Sequence, residues 1–216
     1  MTALSGETAR VTPLDDPTRE LIRLAIAVSA GRERELRDAM ARSVSLSLPA
    51  VWVEELVLQT YLFAGFPRTL NAAREWRRAS GQGAPDEDDG ADYRRVEEWR
   101  EAGERTCAVV YGDMYERLRR NIRQLHPALD AWMVVDGYGK VLSRPGLDLR
   151  RRELCIVAVC AALEQERQLH SHLHGALHSG AAPDEVDEAL RLALPRLSAE
   201  VAERYLHLWS RVRQGS

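Results

Sequence analysis

Four of the six histidines in the chain lie within the stretch HSHLHGALHS, residues 170–179. Imidazole titrates near neutral pH, so a histidine can transfer a proton or bind a metal ion. Successive residues of a helix turn by about 100°, which places three of these histidines along one stripe and one on the opposite side. The stripe contains His170, His174 and His178. His172 shares its side with the apolar Leu169, so we expect His172 to face the interior.

The histidine stripe is also a candidate metal site, because histidines four residues apart on a helix can share an ion. No Asp or Cys supplements the stripe at ligand spacing, and the chain contains no HExxH motif. We therefore interpret the stripe as a solvated polar face and keep a His-rich metal-binding protein as an alternative. No cofactor is predicted.

Glu153 is the carboxylate that we expect to act with His172, nineteen residues further along the chain. A carboxylate beside an imidazole fixes its tautomer and raises the basicity of the other ring nitrogen. Such a pair can take up and release a proton near neutral pH without a cofactor. The alternative interpretation is structural: Glu153 stabilises a helix start, and His172 is a packing residue.

Acid/base chemistry on an organic acid also needs a cation for the carboxylate of the substrate. The arginines nearest in the sequence are Arg144, Arg151, Arg152 and Arg167. We predict that Arg144 and Arg152 bind the substrate, and that Tyr138 and Trp132 line a ring-sized pocket.

The composition excludes several classes of partner. The chain has 30 Lys and Arg against 33 Asp and Glu, a net charge of −3, which gives no reason to expect a nucleic acid. The longest apolar run, 154–163, is too short to span a membrane, and the first twenty residues lack the apolar core of a secretory signal. Three cysteines without CxxC spacing indicate buried thiols in a reducing cytoplasm.

Apolar residues recur at helical spacing and strand-like alternation is scarce, so the sequence predicts an all-α fold. Breaks between helices are expected at Pro49, at 66–68 and in the acidic, Gly-containing stretch 80–92. Pro127 fits the first turn of a helix. The stretch 136–148 has three Gly and a Pro and is expected to be a loop or a short extended piece, with Asp148 as a helix N-cap.

A shift of 133 residues aligns 20–57 with 153–190 without a gap and with eight identities in 38 positions. We infer an internal duplication of a three-helix unit. The expected division is a first unit over 1–79, an acidic linker over 80–92 and a second unit over 93–216. Ala39 stands at the position of His172, so the first unit is predicted to be degenerate at its site.

Glu153, the apolar helix that follows, His172 and the pattern GAL…G…P.EV.E resemble the carboxymuconolactone decarboxylase / alkyl hydroperoxidase D family. The resemblance covers the second unit well and the first moderately, and it implies an AhpD-like helical bundle. The peroxidase branch carries a Cys-x-x-Cys at the start of the second helix. Those positions are Gln165 and Gln168 here, so the resemblance implies no thiol peroxidase.

The same resemblance implies a carboxymuconolactone decarboxylase-like lyase, with His172 as proton shuttle and Glu153 as its orienting partner. The expected reaction is a cofactor-free decarboxylation or isomerisation of a small organic acid or lactone. A non-catalytic, oligomeric binding protein of the same fold is the alternative. Duplicated members resemble trimers, and the apolar helix at 154–163 needs cover from a second unit, so we expect a cytoplasmic homotrimer.

Overall fold

The computed structural model describes residues 13–215, and this part of the chain is all-α, without a strand. The α-helices are α1 (Asp16–Ala30), α2 (Glu33–Ser45), α3 (Ala50–Ser80), α4 (Val96–Tyr111), α5 (Tyr115–Leu125), α6 (Pro127–Trp132), α7 (Leu149–Ala162), α8 (Glu166–His178), α9 (Pro183–Ala193) and α10 (Ala199–Gln214). The prediction of an all-α fold is confirmed. The predicted absence of a secretory signal concerns the first twenty residues, and residues 1–12 of these lie outside the part of the chain that the structure describes. None of the helices described is long and apolar enough to cross a bilayer.

The centre of the core is formed by α1 and α7, which pack against each other. Residues 154–161 of α7 are all buried, as expected for a helix that is apolar on nearly every side. The carboxylate of Asp148 accepts a hydrogen bond from the backbone N–H of Arg151, which confirms the predicted N-cap. Helices α8 and α9 then pack on α7, and α2 and α3 pack on α1.

The two proposed units have equivalent local structure at the 133-residue offset. Helices α2 and α8 both have 13 residues, and the N-caps of α1 and α7 are Asp15 and Asp148. Ser47 and Gly180, which end α2 and α8, both have positive φ. The offset thus relates helix bounds and caps as well as sequence letters.

Buried ion pairs between the two units follow the same offset. Arg152 binds Glu55 with a nitrogen–oxygen distance of 2.7 Å, and the equivalent Arg19 binds Glu188 at 2.5 Å. Each unit therefore contributes the arginine of one ion pair and the carboxylate of the other. This exchange supports the duplication, which stays a prediction, as does the division into two units.

The break expected at 66–68 is a kink inside α3. Gly65 has φ 78° and ψ 169°, which interrupts the helical path, and Pro67 follows it. Helix α3 ends at Gly81 in the left-handed conformation. The acidic stretch after it contains only short 3₁₀ turns, and several of its residues line the same cleft as residues of α3.

The expectation of a loop or extended piece over 136–148 is wrong for its first half. Residues Met133–Leu142 continue α6 as a π-helical segment. Gly139 of this segment permits close packing against α4, because a Cβ on it would lie 2.0 Å from the carbonyl oxygen of Trp99. A Cβ on Gly103 of α4 would lie 2.0 Å from the carbonyl oxygen of Val134. Glycine permits such close contacts as readily as it permits turns, so the number of glycines in a stretch does not by itself predict a loop.

Candidate active site

Glu153 and His172 lie side by side between α7 and α8. The Nδ1 atom of His172 is 2.8 Å from Oε2 of Glu153, and the two residues are 4 % and 0 % exposed. The carboxylate holds the tautomer in which Nδ1–H donates and Nε2 is the basic nitrogen. Within residues 13–215, Nε2 of His172 makes no hydrogen bond, while the imidazole borders a large cleft. The arrangement can therefore transfer a proton to or from a molecule in the cleft.

Gly175, one turn after His172, makes room for the carboxylate. A Cβ at this position would lie 2.7 Å from Oε2 of Glu153 and 2.7 Å from Cγ1 of Val110. The absence of a side chain on α8 thus lets α7 and α4 approach it closely. Gly175 belongs to the site, and the sequence reasoning missed it because an isolated glycine in a helix has no chemistry of its own.

The equivalent place in the first unit is filled by an arginine. Arg42 stands at the position of Gly175, and its Nε is 2.8 Å from Oε1 of the buried Glu20. Ala39 takes the place of His172. Glu20 is therefore neutralised by a cation where Glu153 meets an imidazole, which agrees with a structural first unit.

Replacing Gly175 by alanine is expected to lower both the free energy of unfolding and any activity. The methyl group must displace Glu153 or Val110, an overpacking cost of about 1–3 kcal/mol. The better helix propensity of alanine offsets up to about 1 kcal/mol of it. Urea denaturation measures the difference. Gly83→Ala is the matched control, because its added Cβ meets open space; equal stability of the two variants would contradict the proposed crowding.

The cleft in front of His172 has a volume of about 1490 Å³ and lies between α3, the segment after it and the π-helical segment. Its aromatic lining is Tyr61, Phe63, Phe66, Tyr93, Tyr111, Trp132 and Tyr138. The ring of Phe63 meets the imidazole of His172 edge-on, with ring centroids 5.7 Å apart. The structure thus brings the predicted lining residues Tyr138 and Trp132 to the same cleft as His172.

Tyr111 and Tyr138 form a phenol pair close to Glu153. Their ring centroids are 6.0 Å apart. Burial raises the pKa of both hydroxyl groups, and the carboxylate of Glu153 raises it further. Both phenols therefore remain protonated at neutral pH and can donate hydrogen bonds. Tyr111 was not identified from the sequence, because it lies in α4, some sixty residues before His172.

The two arginines expected to bind a substrate carboxylate are both bound by protein carboxylates. Arg152 is fully buried and is not among the residues that line the cleft; it binds Glu55 at 2.7 Å and the carbonyl oxygen of Leu147 at 3.0 Å. Arg144 does line the cleft, but its Nε lies 2.9 Å from each oxygen of Glu55. Its terminal nitrogens bind Asp88 at 2.9 and 2.8 Å. Arg152 therefore acts in the core, which corrects the role expected from its sequence position.

The histidine stripe lies on the outer side of α8, with adjacent ring centroids 5.1 and 6.3 Å apart. Nδ1 of His178 donates to the carbonyl oxygen of Val110 at 2.9 Å, which ties α8 to α4. Burial and the neighbouring imidazoles His170 and His178 lower the pKa of His174. Between residues 13 and 215, no group of three or more His, Cys, Asp or Glu is placed to hold a metal ion.

The three cysteines are expected to be unreactive in the native protein. Burial raises the pKa of Cys107 to about 12 and raises those of Cys155 and Cys160 as well. Almost no thiolate then exists at neutral pH. Titration with a thiol reagent should detect the three thiols only after unfolding, and no peroxide reduction with dithiol donors should occur. Peroxidase turnover that is lost on mutating Cys155 or Cys160 would contradict this.

Residues 127–210 match the sequence profile of the carboxymuconolactone decarboxylase family. Peroxisomal protein 2 of Schizosaccharomyces pombe is 27 % identical over 189 residues, which cover 86 % of this chain and 88 % of that protein. The 4-carboxymuconolactone decarboxylase of Acinetobacter baylyi is 40 % identical over 53 residues, 24 % of this chain and 40 % of that enzyme. The matched segment includes α7 and α8 with Glu153 and His172. Over this segment, the chain is similar to the carboxymuconolactone decarboxylase family.

Proposed function

We propose that this chain is a carboxymuconolactone decarboxylase-like enzyme that performs cofactor-free acid/base chemistry on an organic acid or a lactone. The buried Glu153–His172 pair carries the proposal. Nδ1 of His172 is held by the carboxylate of Glu153, its Nε2 makes no hydrogen bond among the described residues, and the residue lines the cleft. A packing histidine needs neither a cleft nor a free ring nitrogen.

In this proposal His172 is the proton shuttle. In a decarboxylation, the substrate carboxylate leaves as CO₂, its electron pair stays on the carbon, and protonated His172 delivers the proton there. In an isomerisation, Nε2 removes a proton from a carbon beside a carbonyl and returns it at another carbon. Glu153 orients the imidazole and stabilises its charged form, and the hydroxyl groups of Tyr111 and Tyr138 supply donors for a developing oxyanion.

Two assays test the proposal directly. Carboxylated lactones, including the substrate after which 4-carboxymuconolactone decarboxylase is named, are assayed for CO₂ release. Unsubstituted lactones are incubated in D₂O and followed by NMR for deuterium entering beside the carbonyl. The wild-type protein should show one of these activities, and Glu153→Gln should lose most of it. A panel without turnover or exchange would favour the non-catalytic binding protein.

The protein is expected to be a homotrimer, with the site near a boundary between the two units or between chains. Phe66 and Trp132, both at the cleft, are 62 % and 60 % exposed, and Leu70 is 58 % exposed. Burying such side chains against another copy is favourable. Light scattering at micromolar concentration measures the mass, and a monomer would contradict the expectation.

A cytoplasmic location also stays a prediction. One relative of the chain is named as a peroxisomal protein.

A further inference from the structure

The charges that line the cleft are paired with one another. Three cations and four carboxylates face it, excluding His172. Nη1 and Nη2 of Arg77 bind the two oxygens of Glu54 at 2.5 and 2.6 Å. Lys140 lies 3.4 Å from Asp136, and Arg144 is held by two carboxylates, as described above. With Arg152 behind Glu55, these charges balance, so a ligand carboxylate would meet no unpaired cation among the described residues that line the cleft.

Lys140, the cation of the π-helical segment, is further occupied by aromatic rings. Its ammonium group lies 5.0 Å from the ring centroid of Tyr93 and 5.2 Å from that of Trp99. Such contacts stabilise the cation where it is. To bind a ligand carboxylate, the ammonium group of Lys140 would have to lose its contacts with both rings and with the carboxylate of Asp136.

The cleft is also larger and more apolar than a small hydroxylated acid requires. Its volume of about 1490 Å³ exceeds the range of roughly 300–1,000 Å³ that is usual for small-molecule sites. Aromatic and aliphatic side chains form most of its wall. Burial of a hydrophobic ligand in such a cleft is favourable, whereas burial of an unpaired carboxylate is costly.

We propose that the natural substrate is an uncharged, hydrophobic carbonyl compound, of the class of alkyl-substituted lactones or ketones, and not a free carboxylic acid. The inference rests on the proposed function and selects one substrate class within it. The carbonyl group lies against the phenols and His172, and the apolar remainder occupies the rest of the cleft.

The chemistry that follows is an isomerisation through an enolate. Nε2 of His172 takes the proton from the carbon beside the carbonyl, and the C–H electron pair forms a carbon–carbon double bond while the oxygen takes the negative charge. The hydroxyl of Tyr111 or Tyr138 donates to that oxygen. In a β,γ-unsaturated substrate the imidazolium then returns the proton at the γ carbon and the carbonyl re-forms, so no oxidant, reductant or further reactant is needed.

Isothermal titration calorimetry with two probes of equal carbon number tests the proposal. δ-Dodecalactone is the uncharged probe, and dodecanoate is the charged one. The lactone should bind at least about tenfold more tightly than dodecanoate. Dodecanoate is also titrated into Lys140→Met, which removes the cation of the π-helical segment. Leu58→Glu, which adds a carboxylate at the cleft, should weaken lactone binding several-fold, whereas Leu70→Glu, on the same helix but outside the cleft lining, should not.

Each outcome decides one of the two proposals. Dodecanoate bound as tightly as the lactone, or dodecanoate binding that Lys140→Met removes, would overturn the uncharged substrate class. Saturation by neither probe at its solubility limit, as when a second copy of the chain fills the cleft, would overturn it too. Lactone binding without His172-dependent deuterium exchange would keep the ligand class and remove the proposed catalysis. Turnover of carboxylated lactones, without turnover of uncharged ones, would support the proposed catalysis and overturn the uncharged substrate class.

Discussion

Replacing His172 by alanine is expected to lower turnover, or deuterium exchange, by at least about a hundredfold. The imidazole is the group that places a basic nitrogen at the cleft with its other nitrogen held by Glu153 at 2.8 Å. Without it, Glu153 remains buried behind the helix and has no direct path to a molecule in the cleft. The initial rate on the best substrate of the panel is the measurement.

The alanine variant also removes the donor of a buried carboxylate, so a structural control is needed. Oε1 of Glu153 already lacks a partner among the described residues, and the loss of His172 would leave Oε2 without one as well. His172→Asn can still donate to Glu153 from its amide but has no second basic nitrogen. It should regain stability without regaining activity.

The other histidines of the stretch provide the matched comparison. His170→Ala removes an exposed imidazole from the same helix and should leave the rate within about twofold of wild type. Wild-type rates for His172→Asn, or losses for His170→Ala as large as those for His172→Ala, would show that the proton shuttle lies elsewhere.

Replacing Glu55 by alanine is expected to lower the free energy of unfolding by about 3–5 kcal/mol. Glu55 is 5 % exposed and accepts from Arg152 at 2.7 Å and from Arg144 at 2.9 Å. Removing this carboxylate leaves the fully buried guanidinium of Arg152 without its counter-charge. Urea denaturation measures the loss.

Glu188→Ala is the matched variant, because Glu188 binds Arg19 at the equivalent place of the other unit. Arg19 has a second carboxylate neighbour, Asp16, and its side chain is partly exposed. The loss should therefore be smaller than for Glu55→Ala. Equal stability of Glu55→Ala and the wild type would show that the buried arginine is not held by this pair.

Local features of the helices were predictable because they depend on residues close in sequence. Asp148 caps α7, Pro127 and Pro183 begin helices, and Gly180 ends α8 with a φ of 88°. The inward position of His172 follows from helical periodicity, since an apolar neighbour such as Leu169 fixes which side of α8 faces the core.

The sequence by itself determined the all-α class, the N-cap of α7 and the inward side of His172, because periodicity and caps act over a few turns of helix. Only the tertiary structure decided which groups meet across 68 to 97 residues of chain: His178 with Val110, and Arg144 and Arg152 with Glu55. It also decided that Gly139 packs against α4. The physical reason is that a charge or a glycine is compatible with many partners, and packing in space selects one of them.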